Sequence, residues 1–159
     1  LELAGFAHAC GGVGCAGAGG DAAGFAAARQ CGGAAAGIGG IFFKAKDAPA
    51  LQAWYKRHLG IDVQEWGGAA FQWVSPENPS GTGTTIWSPF KEDTDHFAPS
   101  KSSFMINYRV ADLHALLAQL RAEGCEVDAK VEESDYGKFG WVIDPEGNKV
   151  ELWQPPPGQ

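Results

Sequence analysis

The sequence predicts an α+β fold in which two βαβββ repeats share one curved sheet around a concave cup, and three observations carry that prediction. A strand followed by an Asp-capped helix occurs twice, with Asp112 standing 65 residues after Asp47. The far ends of the units also correspond, since Thr85-Ile-Trp-Ser-Pro89 reads against Glu151-Leu-Trp-Gln-Pro155 at an offset of 66. Finally, Asp144-Pro-Glu-Gly-Asn148 is turn chemistry between two apolar stretches and joins the last two strands as a hairpin. A half of this size cannot cover both faces of its own sheet, so the copies must pack together and leave a shared concave surface.

Residues 1–37 are dominated by Ala and Gly, broken by residues such as Phe6, Phe25 and Arg29. Alanine favours helix and glycine opposes it, so Ala22 to Gln30 is the one candidate helix in a segment with little to bury. This extension is expected to be an appendage, with a segment that packs on a partner subunit as the alternative. The folded domain is expected over 38–157, as a first module 38–90, a connection 91–102 and a second module 103–157.

In the first module the strand is Ile41 to Lys46, and Asp47 caps a helix with Pro49 near its start and Gly60 at its end. The second module repeats the plan. Its strand is Phe104 to Val110, Asp112 is the cap, Leu113, Leu116, Leu117 and Leu120 mark the apolar stripe, and Gly124 closes the helix. After each helix, Gly60-Ile-Asp-Val63 and Gly124-Cys-Glu-Val127 each lead into a strand.

The formal charge of -7 and the absence of a basic run argue against nucleic acid as a partner. No apolar stretch is long enough to span a bilayer, so a soluble, cytoplasmic protein is expected. Cys10, Cys15, Cys31 and Cys125 match no zinc or disulfide spacing.

The two Asp-capped helices, and above all the stretch from Tyr136 through the Asp144 to Asn148 turn to Trp153, resemble the vicinal oxygen chelate superfamily of glyoxalase, bleomycin resistance and dioxygenase-like proteins. The resemblance covers Ile38 to Pro157 and implies a homodimer. It also implies a divalent ion held by one side chain from the first strand and one from the last strand of each copy. Those positions fall on Gly40, Met105, Thr85 and Glu151, of which only Glu151 is a competent ligand. No cofactor is therefore expected, and a divalent metal is disfavoured. The histidines do not restore the set: His8 is in the extension, His58 and His114 fall on the helices, and His96 lies on a connection long enough to fold over the cup.

Side chains alternate across a strand, so Phe42 and Lys44 keep step with Gly40, and Asn107 and Arg109 with Met105. Their neighbours Ile41, Phe43, Ile106, Tyr108 and Val110 are expected to face the helices. By the same parity Trp87 accompanies Thr85, and Trp153 accompanies Glu151, with Trp73 joining from the preceding strand. The expected ligand-binding set is thus Phe42, Lys44, Trp73, Trp87, Asn107, Arg109, Glu151 and Trp153, with Glu151 facing Arg109 or Lys44. The function expected is metal-independent binding of an aromatic or amphipathic small molecule. The alternative is a lyase, isomerase or dioxygenase that uses Glu151 as a general base or with a further ligand set.

Overall fold

The computed structural model describes residues 34–75 and 78–159, so the candidate helix Ala22 to Gln30, His8, Cys10, Cys15 and Cys31 lie outside the described residues. The elements run β1 (Ala35–Ala45), α1 (Ala48–Leu59), β2 (Ala69–Ser75), β3 (Asn78–Lys91), β4 (Phe104–Val110), α2 (Leu113–Ala122), β5 (Glu126–Ser134), β6 (Gly137–Ile143) and β7 (Lys149–Gln154). Among the described residues they form one sheet of order β2-β3-β1-β4-β7-β6-β5. β3 runs parallel to β1 and β7 parallel to β4, while β1 and β4 pair antiparallel at the centre. The halves are joined by main-chain hydrogen bonds across that seam.

Local chemistry sets the helix ends as the sequence indicates. The Asp47 carboxylate accepts from the Ala50 N–H at 2.9 Å, and that of Asp112 accepts from the Ala115 N–H at 3.0 Å. Gly60 takes φ 65° at the end of α1, a left-handed conformation that glycine adopts without strain. In α2 the cap is Glu123, and Gly124 follows it with φ 81°. The Asp144 carboxylate accepts from the N–H groups of Glu146 and Asn148, which closes the β6–β7 turn.

Two expectations need correction. β1 starts at Ala35 rather than Ile41, inside the segment assigned to the extension, because the antiparallel partner β4 offers main-chain groups as far as Val110. And no strand forms directly after α1, where Gly60 to Val63 was expected to lead into one. The Gln64 N–H bonds to Gly68 O and the Gly67 N–H to Gln64 O, so the backbone there closes a turn instead of a ladder. Gln52 Nε2 donates to Gly67 O and pins that turn to α1. The first module is βαββ; the second is the full βαβββ.

Two clusters fill the opposite faces of the sheet. Under α2, Leu113, Leu116 and Leu117 pack with Val110 and Leu152, and Tyr108, Leu120, Val127 and Val131 complete the cluster. Each buried leucine contributes about 1.5–3 kcal/mol relative to exposure. On the other face Phe42, Met105, Trp141 and Phe97 form the second cluster. Phe97 belongs to the connection and is fully buried, so this segment plugs one end of the cup. Ile41, expected in the core, is 45% exposed, because α1 lies against β3 and β1 and α2 against β5, β6 and β7, leaving the sheet centre open. Among the described residues no helix is long and apolar enough to cross a membrane.

Candidate functional site

The face that carries the second cluster also carries Glu151, and the strand register explains what surrounds it. Glu151 pairs with Asn107 on β4 and with Trp141 on β6, so all three side chains rise from the same face. Asn107 Nδ2 donates to Glu151 Oε1 at 2.7 Å and Trp141 Nε1 donates to Oε2 at 2.8 Å. Glu151 is only 4% exposed. Two neutral donors therefore hold a buried carboxylate, and the nearest base is His96, whose Nε2 lies 3.9 Å from Oε2. The His96 ring is stacked on Phe90 with centroids 5.1 Å apart, which fixes the connection at the edge of the site.

Above this floor is a cavity of about 470 Å³, lined by Phe42, Thr84, Ile86, Phe139 and Trp153 together with Asn107 and Glu151. Glu132, Ser134 and the exposed Tyr136 stand on the β5 side. Gly39 closes the opposite wall at an irregularity in the β1–β4 pairing. A Cβ at this position would collide with Asn107 Oδ1 and lie 2.7 Å from Trp153 Cε3, so the close approach of both side chains requires glycine. Asn107 Oδ1 is buried and has no hydrogen-bond partner among the described residues.

Four residues of the expected set, Phe42, Asn107, Glu151 and Trp153, are brought together around the cavity. The others are not. Arg109 does not meet Glu151. Its Nη1 donates to Thr84 O at 3.3 Å, and its guanidinium lies 5.3 Å from the Trp73 ring and 5.0 Å from that of Trp153. Burial holds that guanidinium below its ordinary pKa. Trp73 is tied further to the first module by donating from Nε1 to Thr85 Oγ1. Lys44 points its ammonium over Phe97, 5.6 Å from the ring centroid, toward the plug.

Trp87 is the clearest correction, because it packs on Tyr55 of α1 and on Phe43 and so faces the helix. The cause is a register difference. Phe42 pairs with Ser88 just as Asn107 pairs with Glu151, so the counterpart of Glu151 is Ser88 and not Thr85. An odd shift moves every side chain of the strand to the other face, which puts Thr84 and Ile86 in the cavity in place of Thr85 and Trp87. Phe139 and Trp141 were missed although their signal was present, since the β6–β7 hairpin places them opposite Trp153 and Glu151. Phe97 sits in an irregular connection and carried no periodic signal.

The residues present do not fit a divalent ion. A Cβ on Gly40 would meet the Phe42 ring at 2.7 Å, Met105 is sealed in the apolar cluster, and Ser88, the register counterpart of Glu151, offers only a neutral hydroxyl. The groups bonded to Glu151 are N–H donors, which leave a metal ion no further ligand atom beside the carboxylate. Among the described residues no group of three or more His, Cys, Asp or Glu side chains is placed to share a metal.

Comparison with solved structures gives fold likeness at low identity. Streptomyces coelicolor methylmalonyl-CoA epimerase, in complex with 2-nitronate-propionyl-CoA, is 15% identical with a TM-score of 0.56, over 77% of this chain and 99% of that one. The epimerase of Mycobacterium tuberculosis is 17% identical with a TM-score of 0.49, over 82% and 96%. A glyoxalase/bleomycin resistance protein/dioxygenase superfamily member from Vibrio splendidus is 16% identical with a TM-score of 0.45, over 72% and 95%. No curated protein matches the chain. The family model described as a glyoxalase-like domain matches residues 40–153, which takes in both Asp-capped helices, Glu151 and the closing hairpin, and the chain belongs to that family.

Proposed function

We propose that the protein binds an aromatic or amphipathic small molecule in the cup without the help of a metal. The observation that carries this reading is the cavity itself. Its volume of about 470 Å³ falls within the range of roughly 300–1,000 Å³ usual for small-molecule sites. Its walls carry Phe42, Ile86, Phe139 and Trp153, and at its floor Asn107 is hydrogen-bonded to the buried carboxylate of Glu151. Filling a core would not require a carboxylate sealed at 4% exposure, because burying an ion is costly unless something offsets it. The lack of further ligand atoms around Glu151 supports the metal-free part of the reading.

Three measurements test it. Elemental analysis of the purified protein is expected to find no stoichiometric transition metal; a full equivalent that is needed for ligand binding would overturn the reading. Titration with a panel of aromatic compounds is expected to change the tryptophan emission saturably, and Trp153→Phe is expected to remove most of that change. Recovery of the ligand chemically unchanged after long incubation separates binding from catalysis by Glu151.

A further inference from the structure

We infer that the molecule bound in the cup carries a positive charge on an N–H-bearing nitrogen, a protonated amine or amidine, and presents it to Glu151. The inference rests on the reading of the cavity as the binding site and names the chemical class of its ligand.

The charge distribution carries it. Among the described residues that line the cavity the charged ones are Glu132 and Glu151, and none is a lysine, arginine or histidine. The cations of this face are all committed elsewhere. Arg109 is drawn to Thr84 O between two indoles, and Lys44 lies over Phe97. Lys149 donates to His96 O at 3.0 Å, and Lys130 pairs with Glu132. That last pair leaves Glu151 as the carboxylate with no cation in hydrogen-bonding contact: the nearest basic group, His96 Nε2, stands 3.9 Å from Oε2, and its ring is stacked on Phe90.

Glu151 is also incompletely used. A carboxylate accepts about four hydrogen bonds. Here each oxygen receives one, from Asn107 Nδ2 and Trp141 Nε1, and both donors are neutral. Asn107 cannot turn over, because that would set its Oδ1 against the carboxylate. Its oxygen therefore points away, buried and without a donor among the described residues, and adds a second negative end to the same wall. An ammonium at the cavity floor would bring a charged donor into direct contact with the free lone pairs of Glu151, which His96 at 3.9 Å does not reach. An anionic ligand would meet the Glu151 carboxylate and no cation among the described lining residues.

Glu151→Gln isolates the charge. An indole N–H only donates, so the new amide must turn its oxygen to Trp141 and its NH2 to Asn107, which then flips to offer Oδ1. Each of the two hydrogen bonds is kept and the buried charge is gone, so the variant is expected to fold and to be at least as stable as the wild type.

The experiment uses four aromatic probes of one size, phenethylamine, phenethyltrimethylammonium, phenethyl alcohol and phenylpropionate, titrated calorimetrically into both proteins. In the wild type the amine is expected to bind at least tenfold more tightly than the alcohol and the propionate most weakly. The trimethylammonium, which has charge but no N–H, is expected in between. In Glu151→Gln the amine is expected to fall to the level of the alcohol, whose affinity stays the same. Equal binding of amine and alcohol in the wild type, or preference for the propionate, overturns the inference and leaves the cavity reading standing. Binding of none of the four overturns both. The wild-type comparison decides the question even if the variant fails to fold.

Discussion

The two halves of the sheet come from one repeated plan, yet they are held together differently. The second half, β4 to β7 with α2, buries Leu113, Leu116 and Leu117 against Val110 and Leu152 and has its complete set of strands. The first half replaces its post-helix strand with a turn, and α1 buries only Ala48. Trp54, Leu59, Trp66, Phe71 and Val74 are left exposed there. What holds α1 is aromatic contact of Tyr55 with Trp87, which packs in turn on Phe43. The difference teaches that the second half works as scaffold and the first as one wall. Glu151, Asn107, Trp141 and Trp153 all stand on the better-packed half, whereas Gly39, Phe42, Thr84 and Ile86 close the cup from the other.

Substitutions can break or sharpen that contrast, and the largest effect is expected at the plug. Phe97→Ala removes a fully buried ring from the cluster that joins the connection to both halves, and is expected to cost about 3–5 kcal/mol in urea unfolding. Leu117→Ala, under α2, is expected to cost about 2–5 kcal/mol. Leu59→Ala, on a side chain that is 60% exposed in α1, is expected to stay within about 0.5 kcal/mol. Equal costs at 59 and 117 would contradict the asymmetry.

The two N-caps give a smaller and finer comparison. Asp112→Ala and Asp47→Ala each remove one cap bond, worth about 1 kcal/mol. Hydrogen exchange is expected to show the first as a loss of global protection. The second is expected as faster exchange confined to α1, because little of that helix is tied into the core.

The smallest effect is one of pH. Hydrogen bonds from the Asn148 side chain and backbone hold the Asp144 carboxyl below the ordinary aspartate range. Its folded pKa is lower than its unfolded one, so the group stabilises the hairpin above the unfolded value, and that contribution fades as pH falls through the folded value. Asp144→Asn is expected to flatten the acid limb of thermal stability measured below about pH 4.

Most of the fold was legible because its signals are local. Asp47, Asp112, the leucine stripe and the Asp144 to Asn148 turn each act within one or two turns of backbone, and each forms as read. The strand missing after α1 was not legible. Ile61 and Val63 look like strand residues, and only the turn closed by Gln64, Gly67 and Gly68 shows that no ladder forms. The site was half legible for the same reason. Residues counted from a cap, such as Phe42 and Asn107, fell on the face that lines the cavity, while Thr85 and Trp87 were placed by matching two sequence ends whose strands differ in register. A match of one-letter patterns does not fix parity, and parity alone decides which face a strand residue occupies. The lone Glu151 was visible from the start; that its partners are Asn107 and Trp141 rather than Arg109 required the strand pairing.

The central claim, that the cup takes its ligand without a metal, is tested most directly by following the indole N–H resonances of chelator-treated protein while phenethylamine is added. The Trp141 signal, whose N–H is bonded to Glu151, and the Trp153 signal, whose N–H donates to Tyr136 O, are expected to shift saturably and together. The signals of exposed Trp54 and Trp66 are expected to stay in place. Shifts confined to Trp54 and Trp66, or a response at Trp141 and Trp153 that appears only after a divalent metal is restored, would contradict the account.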